Sequence, residues 1–497
     1  MEEIEGLMPK LELTRRRFVA GVGIGATSTA LLAACGESTP APAAAPPAAA
    51  PAAAPAAAPQ AAPVTISYVG DHTSGPRGAA MQWGLKQYAS KSPNIFVKFI
   101  PQPASYAETF PLQMAAGTQA EIAMLDGGML GAFEAQGGFT KINDVLAKRS
   151  DYVAEDYYFI PDIYTVNHDH AHAEGKLPPS VITGDQFGIP FQGALGGIVT
   201  NEALQEKAGI DPPKEGWTYA NEFLEGCKKA TNAERDEWGT WANNGYEFHW
   251  SPMAFMEGAP AMRNADETGL AVFDNGGDKG LKFSVGLIHD EQVSFPVTDN
   301  KRVAGEFGNP FASGKVWSWL SSVVYSSGYH IPRIKDRFSW SLGPMPLGST
   351  GEEVHEWNDQ PHLITNGSER AGTVEEAVDL ILFLGGPEYQ GRVGIDRGHL
   401  PMHKSVGKLP TSLAGPPGGM EWLYKYADVG ARNTHLMMGL PSWWEMYEWR
   451  KKIEAAYIGD ETVDESIAAA KKLAAEALRG QRDLLNEGRV KRGFPAL

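Results

Sequence analysis

The segment VTISYV at 64–69 alternates apolar and polar positions and is rich in β-branched residues, which predicts a strand. After GDHTSG the pattern becomes amphipathic around Met81 to Tyr88, and NIFVKFIP at 94–101 reads as a second strand. Strand, helix and strand at this spacing predict an α/β layer with a mostly parallel sheet. The helical PLQMAAG, the short strand EIAMLD and a helix through Leu130 to Gln136 continue it. Behind FGIPFQGALGGIVTN (187–201), helical and loop patterns alternate through a Trp-rich stretch until GKVWSWLSSVVYSS (314–327) turns strand-like again. A second lobe is expected there.

Two later helices carry start signals. TVEEAVDLILFLGGPEYQ (373–390) has Thr373 and Glu376 at capping-box spacing and stops at Gly385, Gly386 and Pro387. TVDESIAAAKKLAAEAL (462–478) repeats the device with Thr462 and Glu465 and places Ile467, Ala470, Leu473, Ala474 and Ala477 on one stripe. Between them, WWEMYEWRKKIEAAY (443–457) puts Met446, Trp449, Ile453 and Ala456 on an apolar face that belongs in a core. Trp443 and Tyr447 lie together roughly 100° or more off that face, where a core burying the stripe does not reach them.

The N-terminal region follows other rules. A basic cluster, Arg15 to Arg17, precedes a 17-residue apolar run, Phe18 to Ala34, broken by Gly21, Gly23 and Gly25. A spanning helix needs about 20 strongly apolar residues, so the run reads as an export signal at residues 1–34. From Pro40 to Pro63 every residue is Ala or Pro except Gln60. Proline at that density stops an alanine helix, so residues 35–63 are expected to form a stiff, disordered tether, its 24 residues from Pro40 to Pro63 reaching up to roughly 70 Å at about 3.1 Å per residue.

Composition narrows the function. The 497 residues amount to about three domains, or two large lobes with extensions. Sixty acidic residues against 43 Lys and Arg give a formal charge of −17, the wrong sign for a phosphate backbone, so nucleic acid is excluded as a partner. The only cysteines, Cys35 and Cys227, allow neither a disulfide framework nor a cysteine zinc site. No GxSxG is present, HEWND at 355–359 lacks the second His of HExxH, and GNPFASGKV departs from a phosphate loop in spacing and at Val316. No cofactor is implied. Thirteen Trp among 49 aromatic residues point to ring faces for sugars, whose hydroxyls seek carboxylates and amides. Asp126, with Gly127, closes a strand and is a candidate on that logic. Trp250 and Trp357 are further candidate ring faces. His168, His170 and His172 alternate in VNHDHAHAEG and would share one face of an extended segment, as a metal site requires. With Asp169 and Glu174 beside them, the solvated loop is the preferred reading.

In this order the blocks resemble the extracellular solute-binding proteins of ABC importers, the large family that includes the maltodextrin-binding protein, over essentially all of 64–490. YAETFPLQMAAGTQAEIAMLD looks like a family stretch, with Glu121 where Asp is usual, and AQGGFTKINDVL follows it. FGIPFQGALGGIVTNEALQEKAGIDPPKEGWTYANEF is similar to the most specific signature, with Phe187, Thr200 and Gly216 replacing Tyr, Tyr and Thr. FASGKVWSW, GPMPLG, RGHLPMHKS and the TVDES block complete the series. The arginine cluster resembles a twin-arginine signal, and LAAC at 32–35 a lipobox.

The resemblance implies an α/β, two-lobed periplasmic-binding-protein fold of type II, the Venus-flytrap kind. Its discontinuous lobes would be 64–195 with 341–399, and 196–340 with 400–497, closing over a ligand. It implies ligand contacts from Asp71 and His72 after the first strand and from Gln192 and Gly193 near the crossover. Ser322 and Tyr325 would line the cleft, and Trp443 with Tyr447 would stack on the ligand. Cleavage before Cys35 would leave a lipidated cysteine on the outer face of the bacterial cytoplasmic membrane. The expected function is to capture a carbohydrate, an oligosaccharide or a glycoside, as a monomer and deliver it to the transmembrane subunits of an ABC permease. A secreted lipoprotein glycoside hydrolase, or a binding protein for a metal, polyamine, peptide or glycerol phosphate, is the alternative. Cys227 is expected to be a buried free thiol.

Overall fold

The computed structural model describes residues 63–103, 106–125, 130–158, 164–166, 184–242, 249–264, 268–322, 332–355, 357–396, 399–429 and 442–496. The export signal, Cys35, the tether, Asp126, Gly127, Tyr325 and the loop with His168, His170 and His172 lie outside them. Among the described residues no helix is long and apolar enough to cross a membrane.

Strand β1 (Val64–Gly70) pairs in parallel with β2 (Ile95–Pro101), from Val64 opposite Ile95 to Gly70 opposite Pro101. The helix Gly75–Lys91 between them buries Ala80, Met81 and Tyr88. Strand β3 (Ile122–Met124) lies parallel on the other side of β1. A small ladder of β4 (Thr165–Val166) and β5 (Asp185–Gln186) precedes β6 (Gly188–Ile189), and β7 (Gln192–Asn201) follows two residues later. Strand β7 belongs to a second sheet with β8 (Trp238–Thr240), β9 (Val316–Ser322) and β10 (Trp340–Gly343), in the order β10-β7-β9-β8. The chain then returns through β11 (Trp357–Asp359) to β12 (His362–Ile364), completing a first sheet ordered β2-β1-β3-β12-β6. A last crossing at β13 (Leu400–Pro401) leads back to the second lobe.

The expected parallel arrangement holds for β2, β1 and β3, whereas β12 runs antiparallel to both β3 and β6. These two short strands are where the chain leaves and re-enters the first lobe. The crossing expected at 340/341 falls later, because all four residues of β10 pair with β7. The first half of β7 is flanked by both other crossings: Gly193 stands opposite Asp359 of β11 and Leu400 of β13. All three passages between the lobes are therefore tied to one strand.

Each sheet carries its own core. Ile66, Tyr68, Ile122, Ile189 and Ile364 pack with Val378, Ile381 and Leu384 of the helix Val374–Gly385 in the first lobe. Trp250, Trp317, Trp449, Ile453 and Ala456 anchor the second. The stripe of the 443–457 segment is thus core at Trp449, Ile453 and Ala456, each at most 1% exposed.

The two capping boxes diverge. Thr462 (φ −69, ψ 158) accepts from the Glu465 amide while the Glu465 carboxylate accepts from the Thr462 backbone and hydroxyl. Thr373 has ψ 23, and its side chain makes no cap hydrogen bond. Without the extended backbone that aims an N-cap hydroxyl at the first turn, spacing alone does not form the box. The helix is held by its buried face instead.

Candidate functional site

Strand β1 ends at Gly70, and the next two residues turn in opposite senses. Asp71 stays partly open, its side chain 33% exposed, while His72 swings inward and is buried. The His72 ring lies 5.0 Å from the Phe191 ring and 5.5 Å from that of His399. Its Nε2 donates to Gln192 Oε1 at 2.6 Å, with Asp71 Oδ1 at 3.5 Å from the same nitrogen. Two acceptors facing Nε2 fix the proton there and leave Nδ1 unprotonated.

Gln192, the first residue of β7, is held on both ends. Its oxygen accepts from His72 and faces Arg77 Nη1 at 3.5 Å, and its amide nitrogen donates to Gln360 Oε1. Arg77, in the first turn of the helix after the loop, also stands 3.6 Å from Asp71 Oδ2. Asp71, His72 and Gln192, separated in sequence, therefore form one network at the first crossing. Gln360 ties that network to the second.

Beneath it lies a buried knot of imidazoles and aromatic rings. The Phe191 ring is 3.4 Å from His362, 5.0 Å from His399, and stacked on Tyr389 at 5.7 Å. The Tyr68 hydroxyl donates to His362 Nε2 at 2.8 Å, and His399 Nδ1 donates to the Leu400 carbonyl at 3.1 Å. Burial holds His72 and His362 well below the usual histidine range, and a proton on His399 would push both lower still. Burial takes His399 down to about 3. All three are neutral at pH 7, because an imidazolium there would be a charge without water. Burial also raises the Asp71 carboxyl, with Arg77 opposing the shift.

The remaining candidates are scattered differently. Gly193 is enclosed between β11 and β13, and a side chain there would collide with the Met402 sulfur. Its contribution is the close approach of strands. Trp250 is 0% exposed in the second-lobe core, one face stacked on Phe273 at 5.3 Å. That indole is used for packing. Ser322 pairs with Gly196 and Trp357 with Leu195, which brings both backbones to the hinge half of β7. Trp443 and Tyr447 fall in the first turns of the helix Ser442–Ile458. The side chains of Ser322, Trp357, Trp443 and Tyr447 are outside the described residues. Cys227 is a buried free thiol whose pKa burial raises.

Sequence reasoning missed Arg77, Gln360, His362 and His399. His399 stands in the RGHLPMHKS block and Arg77 in the first helical turn after Asp71, so both had a positional signal. His362 and Gln360 had none.

Chemically, the network offers an acceptor, not a reactive pair. The Asp71 side chain is one-third exposed although its Oδ1 is buried toward His72, and both ends of the Gln192 amide are oriented. Such groups suit a ligand bearing hydroxyl or other N–H or O–H donors. Among the described residues no three His, Cys, Asp or Glu side chains are grouped to hold a metal ion.

Two α/β lobes joined by three crossings, with a polar network at the crossing point, define a two-lobed binding-protein fold. Residues 72–391 match the model of the bacterial extracellular solute-binding protein family, and the chain belongs to that family. Its fold is similar to that of an ABC substrate-binding protein from Listeria monocytogenes in complex with cycloalternan, with a TM-score of 0.66 and 16% identity over 84% of this chain and 99% of that one. The sugar-binding protein MalE from Xanthomonas citri gives a TM-score of 0.66 at 17% identity, covering 85% and 99% of the two chains. Maltose-bound MalE3 of T. maritima gives 0.62 at 19%, covering 84% and 100%. Identities this low establish a shared fold. A Brucella abortus (strain 2308) protein that carries the name of a binding protein is 23% identical over 239 residues, 48% of this chain. The match spans about half (55%) of that relative's length.

Proposed function

We propose that this chain is the substrate-binding lipoprotein of an ABC importer, which captures a carbohydrate between its lobes and delivers it to the permease. The observation that carries this reading is the network of Asp71, His72 and Gln192 at the crossing point of a solute-binding fold. Neighbours of the same fold hold cycloalternan and maltose.

In this reading Asp71 and Gln192 take ligand hydroxyls, and Trp443 and Tyr447 supply ring faces. Asp126, Gly127, Ser322, Tyr325 and Trp357 line the rest of the cleft. Moving the lobes from 1:99 to 99:1 in favour of the closed form requires a differential affinity of about 5.5 kcal/mol. Two or three stacked rings at about 1 kcal/mol each and several hydrogen bonds of similar net value reach that figure.

The test is a thermal-shift screen of oligosaccharides and glycosides, with chromatography of the recovered sugar. One of them should raise the melting temperature in a concentration-dependent way and be recovered intact. Degraded sugar would favour a hydrolase, and a shift with a metal or a polyamine but with no sugar would move the ligand class. The anchor is tested separately. Cys35→Ser should move the protein from the membrane fraction to the soluble one, and its retention on membranes would remove the lipobox from the proposal.

A further inference from the structure

The longest helix among the described residues, Val463–Lys491, is rooted in one lobe and pinned to the other. Its first half is second-lobe core: Ile467, Ala470 and Ala474 pack there, and Lys471 pairs with Asp274 at 2.5 Å. Its last turns meet the first-lobe helix Leu130–Ala135, which is fixed to the first sheet through Leu130 and Phe133. Gly488 lies directly on that helix, and an added Cβ would stand 2.8 Å from the Ala135 carbonyl oxygen. Just beyond the helix end, Arg492 pairs with the Glu134 carboxylate at 2.5 Å and also donates to the Glu134 backbone carbonyl. Glu134 is 2% exposed, so its pair with Arg492 is shielded from water, and Arg489 also feels the Glu134 charge. Arg489, itself buried, donates from Nε to the Pro495 carbonyl at 2.8 Å, folding the tail onto the same spot.

A continuous helix of 29 residues at about 1.5 Å per residue is a rod of roughly 43 Å. Rotation of the lobes about the crossings at Gln192, Asp359 and Leu400 moves one anchorage of this rod relative to the other. Gly480, midway between the anchorages, has no neighbour within 4 Å of where a Cβ would be, so the rod is open on that face, while Leu478 two residues earlier is buried.

We propose that the C-terminal helix is an interlobe strut, and that the seating of Gly488 and Arg492 on Ala135 and Glu134 confines lobe rotation in the ligand-free protein. The proposal rests on the lobe movement in the functional reading but not on the identity of the ligand. It is tested without ligand. Spin labels are placed at Lys86→Cys in the first lobe and Lys229→Cys in the second, both exposed positions, in the full chain carrying Cys35→Ser. With the strut intact the interlobe distance distribution should be narrow. Arg492→Gln, which empties the ion pair, and Gly488→Leu, which lifts the helix from Ala135, should each at least double its width, while Arg492→Lys should stay near the parent. Distributions of parental width in either Arg492→Gln or Gly488→Leu, with the circular dichroism of the folded parent, would overturn the strut.

Discussion

Acidification from pH 7 to pH 5 should destabilise the folded protein by on the order of 5 kcal/mol, read as a fall in the urea midpoint at constant slope. The cause is the buried knot of His72, His362 and His399, all three with folded pKa values below the ordinary one of 6.5. Above about pH 6.5 each imidazole is neutral whether the chain is folded or not, and contributes nothing to pH dependence. Below it the unfolded chain takes up protons that the folded one refuses, so stability is lost as pH falls from about 6.5 toward the folded values, which for His399 means about 3. Each group contributes up to about 1.4 kcal/mol per pH unit in that window. Among the groups facing the knot, Asp71 opposes the trend near its own titration, because burial raises its carboxyl, and Arg77 keeps its charge throughout. Tyr68 and Tyr389 are raised away from the window. His399→Gln should remove about a third of the acid loss. A midpoint that does not move between pH 7 and pH 5 would contradict a neutral, desolvated knot.

Gly188→Ala is expected to cost about 2–3 kcal/mol, at the upper end of what overpacking in a core does. Gly188 pairs with Leu363 across the first sheet. A Cβ there would run into the His362 carbonyl and stand 2.9 Å from Leu363 Cδ2. A backbone carbonyl in a sheet cannot rotate aside, so β12 would have to move, and with it the His362 ring bonded to Tyr68. The glycine of the FGIP block therefore has a steric reason, close passage of the chain as it leaves the first lobe. Gly480→Ala is the control, since nothing lies within 4 Å of that position and alanine favours helix by about 1 kcal/mol. Chemical denaturation of both variants decides the matter, and equal stabilities would refute the clash.

The long periodic segments were legible because their signal is repeated. The strands at Val64–Gly70 and Ile95–Pro101 and the Trp449, Ile453, Ala456 stripe follow from alternation and helical spacing. The crossing strands β6, β12 and β13 are two or three residues long, too short for any period to register, and they decide where the lobes divide. Thr373 shows the other limit, since a correct spacing did not produce a capping box where the backbone was not extended. At the candidate site, Asp71, His72 and Gln192 were readable as positions at a strand end and a crossover. Their partners His362 and His399 come from the far side of the second lobe in sequence, and a single histidine carries no spacing to betray its neighbours.

The pairing of β7 also constrains how the chain acquires its shape. Gly193 finds its partner Leu400 only after roughly 200 further residues have been made. Loop closure of that length is slow, so the hinge half of β7 is assembled late, from a chain that is almost entirely synthesised. A nascent or C-terminally cut polypeptide ending before β11 would carry the Gln192–Leu195 edge open on both sides, a template for pairing with another molecule. Aggregation of such fragments, and not their partial activity, is the outcome this topology dictates.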